Sequence, residues 1–64
     1  MTEQELRDYI FKMVADYGSQ RAKAILLEEV ELNHNLMIAA AKYGHVFIEA
    51  MDEAKRLENN SLLN

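Results

Sequence analysis

The stretch VELNHNLM, at residues 30–37, decides how many helices this 64-residue chain forms. It places Asn33, His34 and Asn35 between two segments that are rich in good helix formers. On one continuous helix, the apolar positions before this stretch and those after it would point in different directions. Asparagine is also a preferred N-cap residue. We therefore expect the helix to break at 33–35, with one asparagine capping a third helix.

A continuous helix from about Ser19 to Leu57 is the alternative. Two asparagines together cost only about 1 kcal/mol inside a helix. Apolar residues also recur at alternating steps of three and four, which is typical of a coiled coil, with Glu29 and Glu53 as exceptions. A helix of that length beside one short helix would require a dimer or a higher assembly. The positions of this seam are Ile25, Leu32, Leu36, Ala39, Tyr43, Val46, Ala50 and Leu57.

The first helix has clear signals at both ends. Thr2 and Glu5 have the spacing of a capping box, in which each side chain accepts a hydrogen bond from the other residue's backbone amide. Gly18 can adopt the left-handed conformation that ends a helix, and Ser19 can cap the helix that follows. We expect about four turns between them, with one apolar stripe formed by Leu6, Tyr9, Ile10, Met13, Val14 and Tyr17.

Composition predicts an all-α fold: a small bundle of two or three helices, completed by self-association. Half of the chain is hydrophobic, yet a domain of this size buries only about 60% of the surface that its unfolded chain exposes. The excess apolar surface should be covered by a second copy or by another protein. We expect one helical domain over residues 1–58 and a frayed tail over 59–64.

Several classes of protein are excluded by what the sequence lacks. The chain has no Cys, so it forms neither a disulfide scaffold nor a thiolate metal site. Its apolar runs are far shorter than the roughly 20 residues of a membrane-spanning helix. The start lacks the pattern of a secretory signal, which favours a cytoplasmic location. The net charge of −4 makes a nucleic-acid partner or an anionic membrane unfavourable.

Two pairs of residues have the spacing of metal ligands. Glu31 and His34 form a Glu-x-x-His, the spacing of carboxylate-bridged di-metal bundles. His45 and Glu49 stand four residues apart, which also places two ligands on one helical face. The chain is rich in glutamate, so such pairs arise by chance, and we expect these side chains to be solvated and no cofactor to be bound.

Catalysis has little to build on in this sequence. There is no cysteine nucleophile, and the Ser and Thr hydroxyls are confined to Thr2, Ser19 and Ser61. The two glycines are isolated, so no phosphate-binding loop is present. A bundle this small rarely encloses a substrate pocket. We therefore expect a protein that is not an enzyme.

Candidate partner-binding residues are of two kinds. Phe11 lies off the main stripe of the first helix, and an exposed aromatic there indicates a subunit or partner contact. Phe47 and Met51 could add an adaptable hydrophobic surface. Arg21 and Lys23 are cations near the start of a helix, where the helix dipole does not favour them. They are the best candidates for contact with a phosphate or an acidic partner.

The start of the chain, Met1-Thr2-Glu3-Gln4-Glu5, is similar to that of small dimeric helical-hairpin RNA-binding regulators of plasmid copy number. The resemblance covers those five residues together with the length and the acidic helical composition. It implies an RNA-binding hairpin as an alternative function, and no site residue is carried over from it.

We expect a small intracellular regulator or accessory subunit, of the kind that phages and mobile elements encode. It would act by binding itself and another protein. The alternatives are the RNA-binding hairpin and a metal-binding bundle that uses Glu31 and His34.

Overall fold

A computed structural model describes the backbone of residues 1–63 and the side chains of residues 1–60. The predicted all-α fold is confirmed, and residues 1–63 contain no strand. The predicted count of two or three helices is wrong, because the described chain forms four. They are α1 (Glu3–Tyr17), α2 (Ser19–Leu32), α3 (His34–Lys42) and α4 (Gly44–Leu63). Single residues join them, at Gly18, Asn33 and Tyr43.

The capping box predicted for α1 is present. The Glu5 amide donates to Thr2 Oγ1 at 3.1 Å, and the Thr2 amide donates to Glu5 Oε1 at 3.0 Å. The hydrogen bond that the Thr2 amide donates to the carboxylate, together with the Thr2 hydroxyl, favours the charged form and lowers the pKa of Glu5 below its ordinary value. The folded-state pKa is the lower one, so the carboxylate stabilises the fold above the unfolded chain's pKa. That contribution is lost as the pH falls through the folded-state value.

The turn between α1 and α2 differs from the expected one. Gly18 has a positive φ of 83° but a ψ of 159°, so it is extended in a glycine-only region rather than left-handed helical. Ser19 is the first residue of α2 and its side chain makes no capping bond, which corrects its predicted role. The cap comes from α4 instead, because the Ser19 amide donates to Glu58 Oε2 at 2.7 Å.

The predicted break at residues 33–35 is confirmed. Asn33 leaves the helical conformation, with φ −108° and ψ 109°. Its Oδ1 accepts a hydrogen bond from the Leu36 amide at 3.2 Å, so Asn33 is the N-cap of α3. The unbroken helix from Ser19 to Leu57 is therefore wrong.

A second break, at Tyr43, was not predicted. Tyr43 has φ −119° and ψ 40°, yet its amide still donates to the Ala39 carbonyl at 2.8 Å. The junction is therefore a sharp bend within a nearly continuous hydrogen-bond ladder. A straight helix over 34–63 would be about 45 Å long, against about 22 Å for α1. The bend keeps α3 on the core that α1 can cover.

Each helix contributes a row of residues three or four apart to one core. All four helices supply bulky buried side chains, while alanines on α2, α3 and α4 let the helices approach closely. The largest are Leu6, Ile10, Leu26, Leu36 and Val46. Arg7 also joins α1 to α4, with its guanidinium 3.6 Å from a Glu49 oxygen. The buried residues are Leu6, Ile10, Val14, Ala22, Leu26, Leu36, Ala39, Val46, Ala50 and Ala54.

This core is thin. The Cα atoms span 38 × 19 × 14 Å, and the shortest dimension leaves room for little more than one layer of interior side chains. The predicted frayed tail at 59–64 overlaps α4, whose backbone is helical to Leu63. Residue 64 lies outside the described backbone, and fraying stays a prediction. Among the described residues, no helix combines the length and apolar character needed to cross a membrane.

The two glycines should respond oppositely to alanine. Gly18→Ala forces a Cβ into a glycine-only conformation and should lower the free energy of unfolding by about 1 to 3 kcal/mol. Gly44 has no positive φ, and a Cβ there would meet nothing within 4 Å. Gly44→Ala should therefore stabilise by about 0.5 to 1 kcal/mol. Thermal and urea unfolding measure both, and equal effects at the two positions would contradict the assigned turn.

Candidate interaction surface

A largely apolar groove lies between α2 and α4. Its volume is about 650 Å³, and we call it the α2–α4 groove. The start of α2 lies beside the later turns of α4, where the Ser19 amide bonds Glu58. Leu27, later in α2, lines the groove with Ile48, early in α4, so the two helices run antiparallel. The groove is lined by Ser19, Gln20, Lys23, Leu27, Phe47, Ile48, Met51, Asp52 and Lys55.

One end of the groove is hydrophobic and strongly exposed. Ile48 is 71% exposed and Leu27 is 57% exposed, on facing helices. Phe47 and Met51 pack partly against the core and form the floor between them. Exposed large side chains are ordinary when scattered singly. Here they converge on one concavity, which is typical of a surface that another molecule covers.

The other end of the groove is polar. Lys23 of α2 and Lys55 of α4 stand on its walls. The one carboxylate that lines the groove, that of Asp52, lies 2.8 Å from a guanidinium nitrogen of Arg56. The groove therefore combines an apolar end with a cationic end, within a chain of net negative charge.

Three of the predicted partner-binding residues meet in this groove. Lys23 of α2 lines it together with Phe47 and Met51 of α4. Arg21 does not join them. It lines a neighbouring polar recess, where its guanidinium carbon lies 5.9 Å from the centre of the Tyr17 ring. Arg21 and Lys23 thus line different surface features, and Lys55 borders both the groove and the recess.

Phe11 is less exposed than its place off the apolar stripe indicated. It is half-buried and packs against the core. It also lines a recess of about 430 Å³ between α1 and α4, with Val14 and Leu57 among its neighbours. Residues of α4 lie beside this ring. The apolar pattern of α1 alone could not indicate that contact.

Leu27 and Ile48 are the surface residues that the sequence interpretation missed. Leu26 and Leu27 are adjacent leucines of α2, and only Leu26 is fully buried, while Leu27 is exposed. Ile48 falls among the polar residues of α4, close to His45, Glu49 and Asp52. A large apolar residue on an otherwise charged face was the available signal for it.

The metal-ligand hypothesis loses its geometric basis. Glu31 lies in the last turn of α2 and His34 begins α3, with the extended residue Asn33 between them, so their i,i+3 spacing no longer defines one helical face. His45 and Glu49 do share α4, but the Glu49 carboxylate pairs with Arg7. Among the described residues, no three His, Cys, Asp or Glu side chains are grouped so as to hold a metal ion.

Comparisons with known proteins give no relative for this chain. No protein-family model matches it, and neither a curated protein nor a solved structure shows significant similarity. The function must therefore be inferred from the surface itself.

The long-range cap by Glu58 holds the polar end of the groove together, and its loss should be measurable. Glu58→Ala removes the acceptor of the Ser19 amide and should destabilise the fold by about 1 kcal/mol, the usual value for a lost N-cap. Glu58→Gln keeps an acceptor oxygen and should lose less. Urea unfolding of both variants tests this, and equal stability of Glu58→Ala and the wild type would contradict the cap.

Proposed function

We propose that this chain is a small intracellular helical protein that acts by protein–protein interaction, as a regulator or accessory subunit without catalytic activity. The chain associates with itself, and the α2–α4 groove is the surface that this association covers. The observation that carries this is the convergence of exposed Leu27 and Ile48 on the half-buried pair Phe47 and Met51.

Burial of this groove would supply a substantial part of a binding energy. Fully burying a large aliphatic side chain is worth about 1.5 to 3 kcal/mol relative to leaving it exposed. Ile48 and Leu27 retain more than half of their exposure, so each has about 1 to 2 kcal/mol still to gain. The aromatic ring of Phe47 and the thioether of Met51 add a surface that adapts to an apolar ridge.

The composition of the groove supports binding rather than chemistry. Its apolar residues recognise shape and exclude water, and Lys23 and Lys55 can steer a partner electrostatically. Asp52 already pairs with Arg56, which leaves that carboxylate engaged as an acceptor. An apolar patch with charged residues beside it is also the composition of docking surfaces.

A single substitution in the groove tests the proposal. Ile48→Asp places a charge at the most exposed apolar wall and should abolish association, because a buried unpaired carboxylate is costly. The helix content should remain, since Ile48 is largely outside the core. Ile38→Asp is the matched control, because Ile38 of α3 is half exposed and does not line the groove.

Light scattering measures the mass of each variant, and circular dichroism checks that it is folded. We expect a folded Ile48→Asp chain that stays single, and an Ile38→Asp chain that associates as the wild type does. Association of Ile48→Asp at wild-type strength would contradict a role for the groove.

RNA binding is the second candidate, and one observation favours it. Arg21 lies over Tyr17, and Lys55 connects this pair to Lys23, so cations and an aromatic ring share one end of the molecule. Binding of this kind weakens as salt increases. Arg21→Ala and Lys23→Ala should each lower the affinity for a structured RNA in a filter-binding titration. Absent or salt-independent binding would exclude this candidate.

A further inference from the structure

The charges on α2 are arranged opposite to the direction that its helix dipole favours. Acidic residues stabilise a helix start and basic residues stabilise its end. The first turn of α2 contains no acid and its last turn contains no base. Arg21 and Lys23 lie early in the helix, whereas Glu28, Glu29 and Glu31 lie late. Glu58 of α4 supplies a negative charge at the helix start, but the last turn still carries Glu31 and no base. A contact outside the chain would explain this order.

Three of these positions form one exposed row along α2. Lys23, Leu27 and Glu31 follow one another at steps of four residues, so they lie along one side of the helix. All three are exposed. Among the ion pairs of residues 1–60, none includes Lys23 or Glu31. The row therefore presents a cation, an apolar side chain and an anion to its surroundings, in that order.

We propose that a second copy of this chain packs on this row, with its α2 antiparallel to the first and a two-fold axis at Leu27. This rests on the proposed function, since it names the self-association that covers the α2–α4 groove. The two-fold axis brings each Lys23 opposite Glu31 of the other copy, and it brings the two Leu27 side chains together. A two-fold interface must be self-complementary, and a row of opposite charges about an apolar centre meets that requirement.

The remaining surface of the helix suits this packing. Ala24 is exposed beside Leu27 and is small enough to let a neighbouring helix approach closely. The α2 helix of each copy would lie in the α2–α4 groove of the other copy, where it would cover Ile48. The two helix dipoles would also run antiparallel. The charge order that is unfavourable in one chain becomes an attractive pairing in two.

Charge reversal with mixing tests this arrangement. Lys23→Glu makes both ends of the row acidic, and Glu31→Lys makes both ends basic. Each variant alone should associate at least about tenfold more weakly than the wild type, because like charges would face each other twice. An equimolar mixture of the two variants should regain association as a heterodimer, since opposite charges then face each other at both contacts. Sedimentation equilibrium measures the masses, with one variant labelled.

Loss of association in the single variants would not come from unfolding. Both reversals bring the charges of α2 closer to the order that its dipole favours, so the melting temperature of the single chain should stay equal or rise. Glu28→Lys is the matched control, because Glu28 is also exposed on α2 but lies outside the row. Glu28→Lys should associate as the wild type does, and mixing with it should not restore the association of labelled Lys23→Glu, because only one of the two contacts then joins opposite charges.

The outcomes separate this arrangement from the proposed function. If Ile48→Asp prevents association but the reversals leave it unchanged, the groove is an interface and the α2 pairing is overturned. Rescue of Lys23→Glu by Glu28→Lys instead of Glu31→Lys would also overturn it. A wild-type chain that stays single would overturn both this pairing and the proposed self-association. A foreign partner that binds the groove equally well in the associated form would contradict a second copy as its occupant.

Discussion

The thinness of the interior is the constraint on which the other features depend. Four short helices joined by single residues enclose one layer of side chains, and alanines fill much of it on α2, α3 and α4. Half of the sequence is hydrophobic, so apolar side chains remain that this layer cannot hold. Leu27 and Ile48 are two such residues, and the fold places them on either side of one groove. An apolar surface in that position explains why the chain would require a partner to be fully covered.

The junctions follow from the same constraint. Each one turns the chain with a single residue, so that short helices can share the small core. Gly18 uses a conformation open only to glycine, Asn33 caps α3 with its own side chain, and Tyr43 bends the ladder without interrupting it. Glu58 then supplies from α4 the cap that the start of α2 lacks. This bond ties the start of α2 to α4 at the polar end of the groove.

Features with local causes could be predicted from the sequence, and those set by distant contacts could not. The capping box of Thr2 and Glu5 and the break at Asn33 depend on neighbours within a few residues. The bend at Tyr43 depends on how far α3 can extend over α1, and its one local sign was Gly44. The sequence predicts that the Ser19 side chain caps α2. The Ser19 amide instead bonds Glu58, 39 residues away, and no local pattern indicates that contact. For the surface, Phe47, Met51 and Lys23 were identified, whereas Leu27 and Ile48 required the packing of two helices to be known.

The central claim is that one copy of this chain leaves an apolar groove uncovered and that a second copy covers it. Sedimentation equilibrium of the unmodified protein, over a wide range of concentrations, tests this most directly. The account predicts a mass that rises with concentration to that of two chains, with binding of a hydrophobic dye falling as the dimer forms. A cooperatively folded chain that keeps the mass of one copy at the highest concentration, and binds no dye, would contradict it.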